Sequence, residues 1–245
     1  MLSKAELKYI NSLQNKKYRR IERAFFVEGY KNVLELINSD FLIRKLYVTA
    51  EFEQEFKLLI ASKDIELHLV SQKDIESAGT LETNNAVIAI AEIKQECGFK
   101  IGQEFILALD GINDPGNLGT IIRTADWYGI NNIVCSPDTV DLYNPKVINS
   151  TKGSFTRVNV LYKDLAIYFE ENPEIPVMAA FMEGDEVYKT KKLSPAILLL
   201  GNEANGIRPE LNKYVKTKVT IPRIGKAESL NVSIAAAILI DRLIN

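Results

Sequence analysis

Short apolar runs recur along the chain, each bounded by Gly, Pro, Asn, Asp or charged residues. They are IRKLYVTA, IELHLV, AVIAIAEI (Ala86–Ile93), FILALD (Phe105–Asp110), NIVC, VMAAFM, AILLLG and KVTIP (Lys218–Pro222). Their length and their β-branched content read as strands. Helical spacing appears between them. Leu118, Ile121, Ile122 and Ala125 fall at i, i+3, i+4 and i+7, which predicts a helix through Gly129. FFVEGYKNVLELI (Phe25–Ile37) reads as a strand passing into a helix, with Gly29 near the joint. Val232–Leu243 is apolar nearly all round, so it predicts a helix buried against a core or a second subunit. Strands alternating with helices predict a parallel α/β sheet covered on both faces.

The pattern breaks once. KQECGFKIGQE is polar, carries two glycines and has no apolar period, so it reads as a linker over 95–103. A first domain then spans 1–94 and a second 104–245. The hydrophobic content of 47% and charged content of 25% are those of a soluble globular protein. Cys97 and Cys135 form no CxxC pair and no Cys/His cluster, which argues against a disulfide scaffold or a structural metal and fits a reducing cytoplasm. The N-terminus has no apolar signal region, and no run approaches the ~20 residues that span a bilayer. The single histidine, His68, lies in an alternating strand without a GxSxG nucleophile nearby, so a Ser-His-Asp triad is not expected.

The net charge of −2 does not mark a nucleic-acid binder, but the local charge is uneven. Residues 1–23 hold seven basic side chains (Lys4, Lys8, Lys16, Lys17, Arg19, Arg20, Arg23) against Glu6 and Glu22, a net +5. Residues 211–227 hold Lys213, Lys216, Lys218, Arg223 and Lys226 and no acid, again +5. Each patch reads either as a solvated face or as a phosphate contact.

Three segments share one layout, a buried strand running into a Gly-containing polar loop: LALDGINDPGNLGTIIRTADWYGI, ILLLGNEANGI and VTIPRIGKAESLNVSIA. In an open parallel sheet, ligands sit outside the carboxyl ends of the strands, so the three loops can converge on one crevice. Neither GxGxxG nor GxxxxGK[ST] is present, so the crevice lacks the usual phosphate cradle. Its polar residues have structural readings as well. Asn117 reads as the N-cap of a 118–129 helix, Arg123 as a solvated arginine pointing away from the apolar stripe, and Glu203 as a turn carboxylate. Ser229 and Asn231 read as caps of the last helix. Their joint occurrence on three strand-end loops favours a site.

These residues resemble the three motifs of the SpoU/TrmH branch of the SPOUT RNA methyltransferases. The first motif, N-x-G-x-x-x-R, is Asn117, Gly119 and Arg123. The second, G-N-E-x-x-G, is Gly201, Asn202, Glu203 and Gly206. The third, I-P-x-x-G-x-x-x-S-L-N-V-S, is complete from Ile221 and Pro222 through Gly225, Ser229, Leu230, Asn231, Val232 and Ser233. FFVEGYKNVLELI is similar to the start of the family's small L30e-like substrate-binding domain. The resemblance implies an α/β knot, a deep trefoil threaded from about AILLLG onward, with S-adenosylmethionine bent inside it. Adenine would be held by backbone around Leu200–Gly201, Ile221–Pro222 and Leu230. The acceptor would be a ribose 2′-hydroxyl of ribosomal RNA, preferred, or of transfer RNA. The enzyme would be a homodimer through its C-terminal domain, with no metal and no membrane.

The resemblance makes Arg123 essential, as a base or as an electrostatic clamp; a guanidinium accepts protons poorly. Asn117 and Asn231 would position Arg123 and the ribose, Glu203 would hold the loops or the arginine, and Ser229 would bond near the acceptor. Asn149 stands where many relatives carry a basic residue. The rival readings are a non-catalytic RNA-binding protein that keeps the fold, and an α/β nucleotide enzyme of another class.

Overall fold

A computed structural model of the chain describes residues 2–81, 86–95, 105–190, 194–202 and 204–244. The expected linker lies, apart from Gln95, outside these residues. The chain divides into two compact units, one of residues 1–95 with 141–157, the other of 96–140 with 158–245.

In chain order the first unit holds α1 (Lys4–Ser12), α2 (Lys16–Glu22), β1 (Ala24–Glu28), α3 (Tyr30–Ile37), β2 (Ile43–Val48), α4 (Ala50–Ala61), β3 (Glu66–Leu69), α5 (Gln72–Ala78) and β4 (Val87–Glu92). Its sheet has the order β1-β4-β2-β3. It is mixed rather than parallel, because β4 runs antiparallel to both β1 and β2. Segment 141–157, within the second domain of the sequence reading, packs with this first unit. Phe25 of β1 shows why, since its ring lies 4.5 Å from that of Tyr143 and 6.2 Å from that of Phe155.

Polar anchors reinforce that packing. Arg19, counted above among the basic residues of a surface patch, is only 2% exposed. It donates to the carbonyls of Leu13 (2.9 Å) and Gln14 (2.8 Å) and, through Nε, to Asp141 (3.0 Å). It is therefore an anchor of α2 and not a phosphate contact. Glu28 is also buried. It accepts from the Thr80 amide (2.7 Å) and from Asn149 Nδ2 (3.0 Å). Asn149 accepts in turn from Asn32 (3.2 Å).

Two non-glycine residues of this unit hold left-handed backbone at helix C-termini, Arg23 (φ 48°) and Lys152 (φ 53°). That conformation costs an L-residue roughly 1–2 kcal/mol. A cation gains only about 0.3–1 kcal/mol from the C-terminal helix dipole. Glycine would be the unstrained choice at both positions.

The elements that follow in sequence are β5 (Phe105–Leu109), α6 (Pro115–Trp127), β6 (Asn132–Cys135), α7 (Pro145–Thr151, which packs with the first unit), β7 (Asn159–Tyr162), α8 (Leu165–Glu170), β8 (Val177–Glu186), β9 (Ala196–Leu200), β10 (Val215–Thr220) and α9 (Val232–Ile244). The second unit's sheet is β10-β8-β9-β5-β6-β7, parallel throughout. Strands β5, β6 and β9 are buried along their full length, as continuous apolar runs demand. On one side Ile106, Ala108, Val134, Ile197 and Leu199 pack against Leu165, Tyr168 and Phe169 of α8. β8 runs four residues beyond the expected VMAAFM, because Asp185 and Glu186 continue the pairing with β10.

Candidate active site

The loops after β5, β9 and β10 all leave the carboxyl ends of parallel strands. The first begins at Asp110, whose carboxylate is 1% exposed and needs a partner. Arg208 supplies it, with its backbone N–H on Oδ2 (2.8 Å) and its Nε on Oδ1 (2.6 Å). Arg208 Nη2 also reaches Asp138 Oδ1 (2.9 Å). Burial opposes the charge on Asp138. Hydrogen bonds from Ser136 and its own backbone, with Arg208 nearby, nevertheless hold that carboxyl below the usual range. The hydrogen bond to Asp110 raises the Arg208 guanidinium further.

The second loop is closed on itself. Asn202 and Gly206 exchange two backbone hydrogen bonds (3.0 and 2.9 Å), and Asn202 Oδ1 accepts from the amides of Ala204 (2.7 Å) and Asn205 (3.3 Å). Asn202 Nδ2 donates to the Gly111 carbonyl (2.6 Å), which ties this loop to the first one. Gly201 permits the closure: a Cβ there would lie 2.3 Å from the Gly206 carbonyl carbon. Leu200 is buried and offers only its backbone. Glu203 lies outside the described residues.

The third loop is open. Ile221 and Pro222 are half-buried, and the chain from Arg223 to Asn231 is exposed. Leu230 is 48% exposed.

Helix α6 begins three residues before the expected Leu118. Asp114 is its N-cap, with Oδ1 accepting from the Asn117 amide (2.8 Å), and Pro115 takes the first helical position. Asn117 therefore does not cap the helix. Its Oδ1 accepts instead from Asn231 Nδ2 (2.9 Å). Asn231 does cap α9, its Oδ1 accepting from the amides of Ser233 (2.9 Å) and Ile234 (3.4 Å). Ser229 takes no part in that cap; it is exposed and makes no hydrogen bond with a described residue. At the other end of the two helices, Tyr128 donates to Asp241 Oδ1 (2.9 Å). α6 and α9 thus run parallel, joined at both ends. Arg123 is exposed on α6, about 9 Å along the axis from Asn117, and has no hydrogen-bond or ion-pair partner among the described residues.

The arrangement is a set of three strand-end loops, the second closed on bare backbone and tied to the first, with two joined asparagines and an exposed arginine on α6. Among the described residues no group of three His, Cys, Asp or Glu could hold a metal ion. Among the same residues no helix is long and apolar enough to cross a membrane. Sequence reasoning missed Asp110, Arg208 and Asp138; the signal was an acid closing a buried strand, LALD.

Residues 104–241 match the model of the SpoU rRNA Methylase family, and residues 4–89 match an MRM3-like substrate binding domain. A 23S rRNA (guanosine(2553)-2′-O)-methyltransferase, RlmP, of Bacillus subtilis strain 168 is 30% identical over 235 residues, 94% of this chain and 92% of its own. The Escherichia coli K12 23S rRNA (guanosine-2′-O-)-methyltransferase RlmB is 31% identical over 144 residues, 56% of this chain and 58% of its own. Among solved structures, a putative RNA methyltransferase of the TrmH family from Porphyromonas gingivalis superposes with a TM-score of 0.85 at 34% identity, covering 99% of this chain and 98% of that one. An AdoMet-bound rRNA methyltransferase from Sinorhizobium meliloti gives 0.89 at 27% identity, covering 99% and 96%. The chain belongs to the SpoU rRNA methylase family.

Proposed function

We propose that this protein transfers a methyl group from S-adenosylmethionine to a ribose 2′-hydroxyl of ribosomal RNA. The observation that carries the reading is the hydrogen bond from Asn231, the cap of α9, to Asn117 on α6, the helix that also presents Arg123, together with the closed glycine loop, in a family whose relatives do this chemistry. The cofactor fits the residues present. The Gly201–Gly206 closure presents bare backbone, and Leu230 offers an uncovered apolar side chain for a flat ring. Leu200, Gly201, Ile221, Pro222 and Leu230 would hold it.

When bound, S-adenosylmethionine supplies a methyl group already activated on a sulfonium, so the protein has to align, desolvate and manage a proton. Arg123 acts through charge, orienting the hydroxyl and stabilising the oxyanion that develops as the hydroxyl proton passes to solvent, because a guanidinium keeps its own proton. Asn117 and Asn231 fix the helix ends around the ribose. Ser229 would bond near the acceptor, and Glu203 would hold the loops or the arginine.

The trefoil threading, a cytoplasmic location and a homodimer belong to the same proposal. The dimer is supported by Trp127 (85% exposed) on α6 and Ile234 (51%) on α9, large apolar side chains on two parallel helices.

Calorimetric titration with S-adenosylmethionine tests the site. One equivalent per subunit binds wild type, and none binds Leu230→Arg. Arg123→Ala keeps cofactor affinity and loses transfer; wild-type turnover in that variant would remove Arg123 from the chemistry. Nucleoside mapping of ribosomal and transfer RNA from a deletion strain identifies the acceptor. No cofactor binding to wild type would favour the RNA-binding module.

A further inference from the structure

Residues 4–89 match a substrate binding domain, but nothing so far says which face of it meets the substrate. Once Arg19 is removed from the basic segment at the N-terminus as a buried anchor, what remains exposed on and around α2 is Lys16, Lys17, Tyr18, Arg20, Ile21 and Arg23. Lys16 and Arg20, and Lys17 and Ile21, are i, i+4 neighbours on the helix surface. Glu22, the single acid of the helix, is half-buried. Tyr18 and Ile21 stand out among these cations at 45% and 62% exposure.

A solvated basic face has no need of two further features. The first is the rigid mounting, in which Arg19 is almost wholly withdrawn from water to bond Leu13, Gln14 and Asp141. The second is Arg23, an exposed cation held in left-handed backbone where glycine would be unstrained. Strain of this kind concentrates at functional positions. Cations interleaved with an aromatic ring match a ribose–phosphate strand with an unpaired base.

We infer that α2 and Arg23 form an RNA-docking surface of the first unit, with Lys16, Lys17, Arg20 and Arg23 on phosphates and Tyr18 stacked on a base. The inference rests on the proposed RNA substrate. It invokes none of the residues that would hold the cofactor.

The test measures affinity of the full chain for protein-free large-subunit ribosomal RNA across a salt series, together with S-adenosylmethionine affinity and methyl transfer. The triple variant Lys16→Gln/Lys17→Gln/Arg20→Gln is expected to reduce the slope of log affinity against log salt by about 2–3, one unit or slightly less per lost phosphate contact. KM for RNA rises about tenfold or more, while cofactor affinity and kcat at saturating RNA are kept. Arg23→Gly is expected to weaken RNA binding with a melting temperature no lower than wild type, which a merely structural arginine would not give. RNA affinity and salt slope unchanged in both variants overturns the inference. If the triple variant does not fold, Arg23→Gly decides alone. Wild type that binds RNA steeply with salt yet transfers no methyl group sinks the proposed activity and leaves this surface standing.

Discussion

Asn231 Nδ2 donates to Asn117 Oδ1 at 2.9 Å, across 114 residues of sequence. The same Asn231 caps α9 with its Oδ1, so one side chain serves stability and site geometry with different atoms. Asn231→Ser separates the two uses. Serine caps a helix as well as asparagine does but is too short to bridge to Asn117. The melting temperature should stay within about 2 °C while methyl transfer falls at least tenfold. Asn231→Ala should lose both, with about 0.5–2 kcal/mol of stability. Thermal melts beside single-turnover assays check this, and parallel losses in both variants would reduce Asn231 to a cap.

Gly201→Ala places a methyl group against the backbone of Gly206 and Ile207. Neither neighbour is a flexible side-chain tip, so the loop has to open. A cost of about 1–3 kcal/mol is expected, with S-adenosylmethionine binding reduced well beyond what partial unfolding explains. Calorimetry below the melting transition distinguishes the two. Wild-type affinity would show that the loop does not touch the cofactor.

Arg208→Gln leaves the buried Asp110 carboxylate with the backbone amide of residue 208 as its remaining donor from that segment. Breaking a fully buried pair costs roughly 3–5 kcal/mol; Arg208 is itself 42% exposed, so about 2–3 kcal/mol is expected here. Denaturant titration measures it, and a change below about 0.5 kcal/mol would mean that Asp110 is satisfied without the side chain.

The Asp138–Arg208 contact also sets a pH expectation. The Asp138 carboxyl lies below its ordinary range in the folded state. Its stabilising contribution is therefore complete above the unfolded carboxylate range and is lost as pH falls through the depressed value. This contact should leave its contribution to stability flat from pH 8 to 5 and weaken it only below about pH 4. Comparison of wild type with Asp138→Asn across that range isolates the effect; a difference appearing near neutrality would contradict it.

In the first unit, Asn149→Ala removes a donor from buried Glu28 and a partner from Asn32. A loss of about 1–3 kcal/mol is expected in a denaturant titration.

The strands and helices of the second unit were legible because full burial leaves uninterrupted apolar runs and an unambiguous helical stripe. The three loops were legible as a group because each follows such a run. What escaped was long-range pairing of charge and amide. Nothing near Arg19 in sequence announces Asp141, so a buried anchor was counted with surface cations. Asn117 was read as a cap because the apolar stripe starts at Leu118; Asp114 followed by Pro115 was the better start signal and freed the Asn117 side chain. Segment 141–157 follows a strand of the second unit in sequence, and only the contacts of Tyr143 and Phe155 with Phe25 place it with the first.

The parallel pair α6 and α9 bears on synthesis as well as geometry. A nascent chain presents Asn117, Arg123 and Tyr128 long before Asn231 and Asp241 exist. Until α9 is made, the outer edge of α6 has no mate and the third loop has only one fixed end. The crevice is therefore assembled last, and an interrupted or truncated translation product that lacks α9 should fold its first unit, keep the docking surface on α2 and still transfer no methyl group.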